Sequence, residues 1–143
     1  MFEMRTVRQI LIAAALLGQG CTPQPGEELL APSVAQLRLR SVQSRTFDVH
    51  DRMLALRGVI AALQDLGFSV ERAEEPLGLV TAARFAEPNF YDVVRVTVTV
   101  RPVTEGRILI RVTAIYNNKP IEDPKIYQNF FATVERSLFV SRN

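Results

Sequence analysis

Cysteine and histidine, which carry much of the covalent and metal chemistry of proteins, are scarce in this chain of 143 residues. Cys21 is the only cysteine and His50 the only histidine, so neither a cysteine cluster nor a pair of imidazoles can hold a metal ion. A lone histidine can serve a serine triad, but the sequence has no G-x-S-x-G elbow and no glycine-rich nucleotide loop. Asp48 and Asp51 flank His50, and their spacing fits helix capping better than a catalytic carboxylate pair. We therefore expect no catalytic site, no metal site and no cofactor.

Arginine is the other residue type whose spacing suggests a site. Six arginines occur at alternate positions in segments that we predict to be strands, so they would share the polar face of a sheet. Guanidinium forks bind carboxylates and phosphates, which makes this face a candidate surface for an acidic protein or for anionic lipid headgroups. The alternative is a solvated face whose charges keep the sheet soluble. The candidate residues are Arg38, Arg40, Arg95, Arg101, Arg107 and Arg111.

Composition limits the class of protein. Apolar residues make up 48% of the chain, which is enough for a packed core, and the length suits one domain. The net charge is only +2. A nucleic-acid-binding domain would need a strongly basic balance, so we expect no nucleic-acid partner.

The first 20 residues have the pattern of an export signal. Arg5 and Arg8 precede an apolar run from Ile10 to Leu17. A membrane-spanning helix needs about 20 apolar residues, so this run is too short to span and instead fits the apolar region of a signal peptide.

The run ends in Gly18-Gln19-Gly20-Cys21, which resembles the lipobox of bacterial lipoproteins, although Gly18 stands where leucine is usual. The alternative is an ordinary cleaved signal with a chance cysteine, but no A-x-A-like cleavage site is present. The resemblance implies that Cys21 carries lipid, and that Thr22 after it directs the protein to the outer membrane. More than one acyl chain would give durable anchoring. We therefore expect a signal peptide at 1–20, a lipidated, Pro-rich tether at 21–33, and a single domain at 34–143 that faces the periplasm.

Hydrophobic periodicity predicts the element order β-α-β-β-β-β-α for that domain. Asp48 or Asp51 should cap the first helix, Gly67 should end it, and Pro124 should open the last helix, which carries an aromatic stripe typical of a core. We expect an α+β, two-layer fold in which a mainly antiparallel sheet packs against two helices and has its other face in water. The predicted strands are 36–43, 68–72, 77–84, 92–101 and 107–115, and the predicted helices end near Leu66 and Phe139.

Four short motifs in the domain resemble a group of small bacterial outer-membrane lipoproteins of uncharacterised function. They are T-F-D at 46–48, L-Q-D-L-G-F at 63–68, G-L-V-T-A at 78–82 and D-P-x-I-Y-Q-x-F-F at 123–131. The likeness covers roughly 45–139. It implies a location and a type of domain, and it does not imply a molecular task.

Two functional hypotheses of different kinds remain. The first is a non-catalytic lipoprotein that its lipid anchor holds in the membrane. It would serve as an accessory or interaction subunit of an outer-membrane assembly or export complex, with an envelope protein as partner. The second is a module that binds an amphiphile or an envelope polymer between sheet and helices. A cavity discriminates between them. The bulky Phe130 and Phe131 predict a filled core, so a sizeable dry pocket would favour the second hypothesis.

Overall fold

The structure is a computed structural model that describes residues 31–86, 88 and 91–142. The predicted signal peptide and Cys21 lie outside the described residues. The elements of the described part are α1 (Val34–Val42), β1 (Ser44–Phe47), α2 (Arg52–Asp65), β2 (Ser69–Glu74), β3 (Leu79–Phe85), β4 (Val93–Thr104), β5 (Arg107–Tyr116), β6 (Lys119–Pro120) and α3 (Pro124–Arg142).

The strands form one antiparallel sheet with the order β1-β5-β4-β3-β2. The central β4–β5 hairpin turns at Gly106, whose φ of +77° lies in the left-handed region that glycine adopts without strain. Valines and isoleucines at alternate positions of β4 and β5 are buried, and the residues between them are on the outer face. This confirms the hairpin that the alternating sequence predicts.

Both edges of the sheet are irregular. On one side, β5 is covered in two pieces, by β1 opposite 108–111 and by β6 opposite 115–116. Asn117 and Asn118 both have positive φ and make the tight turn into β6, a conformation that asparagine tolerates. On the other side, the pairing of β2 with β3 shifts by one residue at Glu71, between Val70 and Arg72.

Helix α2 begins and ends, and α3 begins, where local chemistry predicts, while α3 runs to Arg142, three residues beyond its predicted end. The Asp51 carboxylate accepts a hydrogen bond from the Met53 N–H at 2.7 Å and so caps α2, while Gly67, with φ of +79°, follows its end. Asp123 accepts from the Lys125 N–H at 2.9 Å beside Pro124, the first residue of α3. Side chains from both helices and from the inner face of the sheet form one core. The predicted α+β, two-layer fold with an antiparallel sheet is confirmed.

The prediction of a strand at 36–43 is wrong, because these residues belong to the helix α1. Ser33 and Gln36 form a reciprocal capping box in which each side chain accepts a hydrogen bond from the other residue's backbone N–H. The alternation of Leu37 and Leu39 suggested a strand, but Leu37 is 51% exposed. Leu39 and Val42, spaced three apart on one side of the helix, pack against the core instead. The described part therefore has three helices, not two, and its first strand starts at Ser44.

Candidate functional site

The structure divides the predicted arginine face. Arg38 and Arg40 lie on α1, so the prediction that they share a sheet face with the other four is wrong for the same reason as the predicted strand. Arg95 and Arg101 in β4 and Arg107 and Arg111 in β5 are exposed and alternate with buried residues, which places them on the outer face.

Arg95 is engaged by a carboxylate. Its Nε lies 3.7 Å from Glu71 Oε2, at the β2 irregularity. Both side chains are about half exposed, so the pair contributes little to stability.

The other three, Arg101, Arg107 and Arg111, form what we call the arginine cluster. They surround Leu109, which lies opposite Arg101 and between the other two along β5. Arg111 Nε donates to Ser44 Oγ at 3.1 Å, and Arg107 Nε donates to Thr104 Oγ1 at 3.0 Å. Within the described residues, none of the three forms an ion pair with a carboxylate. The cluster is thus a basic patch with a small apolar centre.

His50 lies beside the turn of the β4–β5 hairpin. It is exposed, and its ring lies so close to Gly106 that a Cβ there would stand 2.8 Å from His50 Nε2. No group of three or more His, Cys, Asp or Glu side chains among the described residues could hold a metal ion. None of the helices within 34–142 is long and apolar enough to cross a membrane.

A cleft of about 540 Å³ lies between the two long helices and the inner face of the sheet, and we call it the α2–α3 cleft. Most of its lining is apolar. The lining residues are Leu63, Leu66, Phe68, Arg84, Val94, Val96, Val112, Ala114, Tyr116, Lys119, Pro120, Ile121, Ile126, Tyr127, Asn129 and Phe130.

The cleft has a closed floor and open walls. Five floor residues are at most 5% exposed, while Leu66, Phe68 and Ile121 in the walls are half-buried and Ile126 is 46% exposed. The floor residues are Val96, Val112, Ala114, Tyr127 and Phe130. We infer that a ligand in the cleft would cover apolar surface that now meets water.

Helices α2 and α3 pack closely at one position, and both contribute to the lining of the cleft. At Gly58 in α2, an added Cβ would stand 2.6 Å from Leu138 Cδ2, so α3 packs closely there. Leu63 and Leu66 of α2 and Ile126 and Phe130 of α3 belong to the lining of the cleft. The prediction that Phe130 and Phe131 are core residues is confirmed, since both are buried in the core cluster, and the space beside Phe130 is an open cleft. Phe131, which contacts the rings of Phe47 and Phe130, is fully packed.

One end of the cleft is formed by a row of paired residues that we call the terminal row. Arg84 in β3 pairs with Val94 in β4, and Val94 pairs with Tyr116 in β5. Tyr116 in turn pairs with Lys119 in β6. All four line the cleft, and the next rows inward contribute Val96 and Ala114, then Val112. The cleft thus passes from a polar end to an apolar floor.

Two hydroxyl groups in the lining have fixed partners. The Tyr127 hydroxyl donates to the Ile121 carbonyl and accepts from Gln43 Nε2 at 3.1 Å, which joins α3 to the residue that follows β6 and to the residue that caps the end of α1. The Tyr116 hydroxyl donates to Asp92 Oδ2 at 2.6 Å. This hydrogen bond is the main reason that the pKa of Tyr116 is raised above its ordinary value of 10.0.

The sequence contained a signal for the terminal row. The inward positions of β3 are Val80, Ala82 and Arg84, so a charged residue stands at the end of a series that is otherwise apolar. Tyr116 continues the inward series of β5 in the same way. Lys119 had no such signal, because β6 depends on the Asn117-Asn118 turn.

Comparisons with known proteins give little help. No family model and no curated protein matches the chain. Among solved structures, the adenylate sensor from AMP-activated protein kinase, in complex with 5-aminoimidazole-4-carboxamide ribofuranotide, is similar with a TM-score of 0.47 and 14% identity, over 66% of this chain and 94% of that one. A likeness at this level does not bear on function.

Proposed function

We propose that this chain is a non-catalytic bacterial lipoprotein, anchored to the outer membrane through Cys21, whose periplasmic domain binds an amphiphile in the α2–α3 cleft. The export signal and the lipobox-like segment support the anchor. The size and apolar lining of the cleft support the binding role, which is the second of the two hypotheses that the sequence leaves open.

The observation that carries the proposal is the size and lining of the cleft. Its volume of about 540 Å³ falls in the range of roughly 300–1,000 Å³ that is typical of small-molecule sites, which are mostly apolar with a few placed polar groups. An acyl chain in contact with Ile126 and the half-buried walls would leave water, and this transfer is favourable at about 25 cal/mol per Å² of apolar surface.

The test is binding of N-phenylnaphthylamine, an uncharged apolar fluorophore, to the full chain carrying Cys21→Ala, so that no attached acyl chain competes. We expect saturable binding of one probe per chain. Ile126→Asn should weaken binding about tenfold, because a bound probe would cover the amide that replaces the apolar Ile126 side chain in the wall.

Gln128→Asn is the matched control, since Gln128 lies on the same turn of α3, is exposed and does not line the cleft. It should bind like the unaltered protein. Absence of saturable binding, or equal weakening by the two variants, would refute the binding role.

The arginine cluster favours a second candidate function, the docking of an acidic envelope protein, as expected of a subunit of an assembly or export complex. Three exposed guanidinium groups without a carboxylate partner among the described residues would complement an acidic surface, and Leu109 would add apolar contact. Crosslinking in intact cells, followed by purification of the lipidated chain, should recover a defined acidic partner that Arg101→Ser and Arg111→Ser together remove. A partner that is retained by this double variant would contradict docking at the cluster.

A further inference from the structure

We infer that the amphiphile bound in the α2–α3 cleft has an anionic headgroup, which Arg84 and Lys119 hold at the terminal row, and a single acyl chain that lies on the floor. This inference rests on the proposed binding role and adds the chemical class of the ligand.

The charges of the lining support the sign of the headgroup. Arg84 and Lys119 are the charged residues of the lining, and both are cations. No carboxylate belongs to the lining, although Asp92 holds the Tyr116 hydroxyl next to it. Within the described residues, neither cation forms an ion pair with a carboxylate, so an anion in the cleft would find both charges unneutralised.

Arg84 is held in position for this role. Its Nη1 donates to the Leu66 carbonyl at 3.1 Å, and its guanidinium lies 4.9 Å from the centroid of the Phe68 ring. Both partners are themselves part of the cleft wall. The hydrogen bond uses one of the five guanidinium N–H groups, and the others can bind a carboxylate or a phosphate.

The two cations stand on opposite sides of the same end of the cleft. They belong to one row of paired residues that crosses four strands, so their backbones are about 14 Å apart, three strand spacings. A headgroup between them can meet the guanidinium of Arg84 where it is held and the long, flexible side chain of Lys119. The rows behind them supply Val96, Ala114 and Val112, which are apolar. The order of the rows therefore matches an anionic head followed by an acyl tail.

The experiment compares displacement of N-phenylnaphthylamine by amphiphiles that share one dodecyl chain and differ in the headgroup. The series is dodecanoate, dodecyl phosphate, dodecanol and dodecyltrimethylammonium, each below its critical micelle concentration. The two anions should displace the probe at concentrations about tenfold lower than dodecanol, and the cation at higher ones, because charge-assisted hydrogen bonds favour the anionic heads. Dodecanoate against dodecyl phosphate then separates a fatty acid from a phosphate-headed lipid as the source.

Two variants and a control locate the effect. Arg84→Gln and Lys119→Gln should each reduce the preference for anions several-fold, and the double variant should abolish it while N-phenylnaphthylamine still binds. Lys119 is exposed on β6, so its replacement tests the inference even where loss of the Arg84 bond to Leu66 loosens the fold. Arg95→Gln removes the same charge from the opposite face near the same end of the sheet and should leave the preference unchanged.

The outcomes separate the inference from the proposal beneath it. Equal displacement by anionic and uncharged dodecyl chains, with the probe still bound, would overturn the anionic headgroup and leave the binding role intact. Equal effects of Arg95→Gln and Lys119→Gln would also overturn it, since the preference would then reflect net charge alone. Failure of the unaltered chain to bind the probe would refute the binding role and the inference together.

Discussion

Gly78 provides the sharpest test of the backbone geometry. It precedes β3 with a φ of +62°, and a Cβ added there would stand 2.2 Å from the Val100 carbonyl oxygen. Val100 N–H also donates to the Gly78 carbonyl at 2.7 Å, which holds the two backbones together. The atom that a side chain would meet is therefore backbone, and no change of rotamer can move it.

The expected cost of Gly78→Ala has two parts. A left-handed alanine costs roughly 1–2 kcal/mol relative to glycine. The clash requires β3 and β4 to move apart, and overpacking of this kind costs roughly 1–3 kcal/mol. We expect a loss of about 2–5 kcal/mol in the free energy of unfolding, which is a large share of the stability of an ordinary domain.

Gly67 is the matched control. Its φ of +79° is similarly left-handed, but a Cβ there meets nothing within 4 Å. Gly67→Ala should therefore cost only the conformational part, about 1–2 kcal/mol. Urea unfolding of both variants, followed by circular dichroism, measures the difference. Equal losses for the two variants would mean that the close approach of Gly78 to Val100 is not as described.

Three further predictions address the anchor, the core and the terminal row. Cys21→Ala should prevent lipidation and leave the chain as precursor or as soluble periplasmic protein, and unchanged membrane fractionation would contradict the anchor. Phe131→Ala should lower the free energy of unfolding by about 3–5 kcal/mol, because Phe131 is 2% exposed. Phe139→Ala, at a residue that is 69% exposed, should have a small effect, and similar losses for both would indicate that Phe131 is not core. Asp92→Asn should lower the pKa of Tyr116 towards 10.0 in a spectrophotometric tyrosine titration. Because the pKa of Tyr116 is raised in the folded state, the Tyr116–Asp92 hydrogen bond should stabilise the protein below about pH 10. This stabilisation should be lost as the pH rises through the pKa of folded Tyr116. A Tyr116 titration that Asp92→Asn leaves unchanged would refute the role of Asp92.

The sequence predicts those elements in which a periodic apolar pattern continues over many residues and a capping or turn residue marks the end. The β4–β5 hairpin combines alternation over many residues with Gly106, and α2 combines helical spacing with Asp51 and Gly67 at its ends. The sequence of α1 predicts a strand instead, because two leucines two residues apart are too short a pattern to distinguish a strand from a helix. The Ser33–Gln36 capping box was the better signal.

The cleft could not be predicted, because no single segment encodes it. Its polar end requires the register that aligns Arg84 with Tyr116 and Lys119 across four strands. Its helical walls require Leu63 and Leu66 of α2 and Ile126 and Phe130 of α3 to lie over the same part of the sheet. Each of these depends on contacts between residues that are far apart in the chain. The alternation of β3 indicates that Arg84 faces inward, but whether it lies at a binding site depends on the residues that line the cleft with it, Tyr116 and Lys119.

The shifted pairing at Glu71 has a consequence for how copies of this protein meet. β2 is the last strand on its side of the sheet, and a regular last strand offers a row of free N–H and C=O groups to which another chain can add. The shift interrupts that row at its centre, and Glu71, Arg72 and Glu74 place charges along it, two of them joined as the Arg72–Glu74 ion pair. Polymerisation by strand addition is therefore disfavoured at β2. If a lipid anchor concentrates copies of the protein on a membrane surface, this irregular edge disfavours their association through strand pairing at β2.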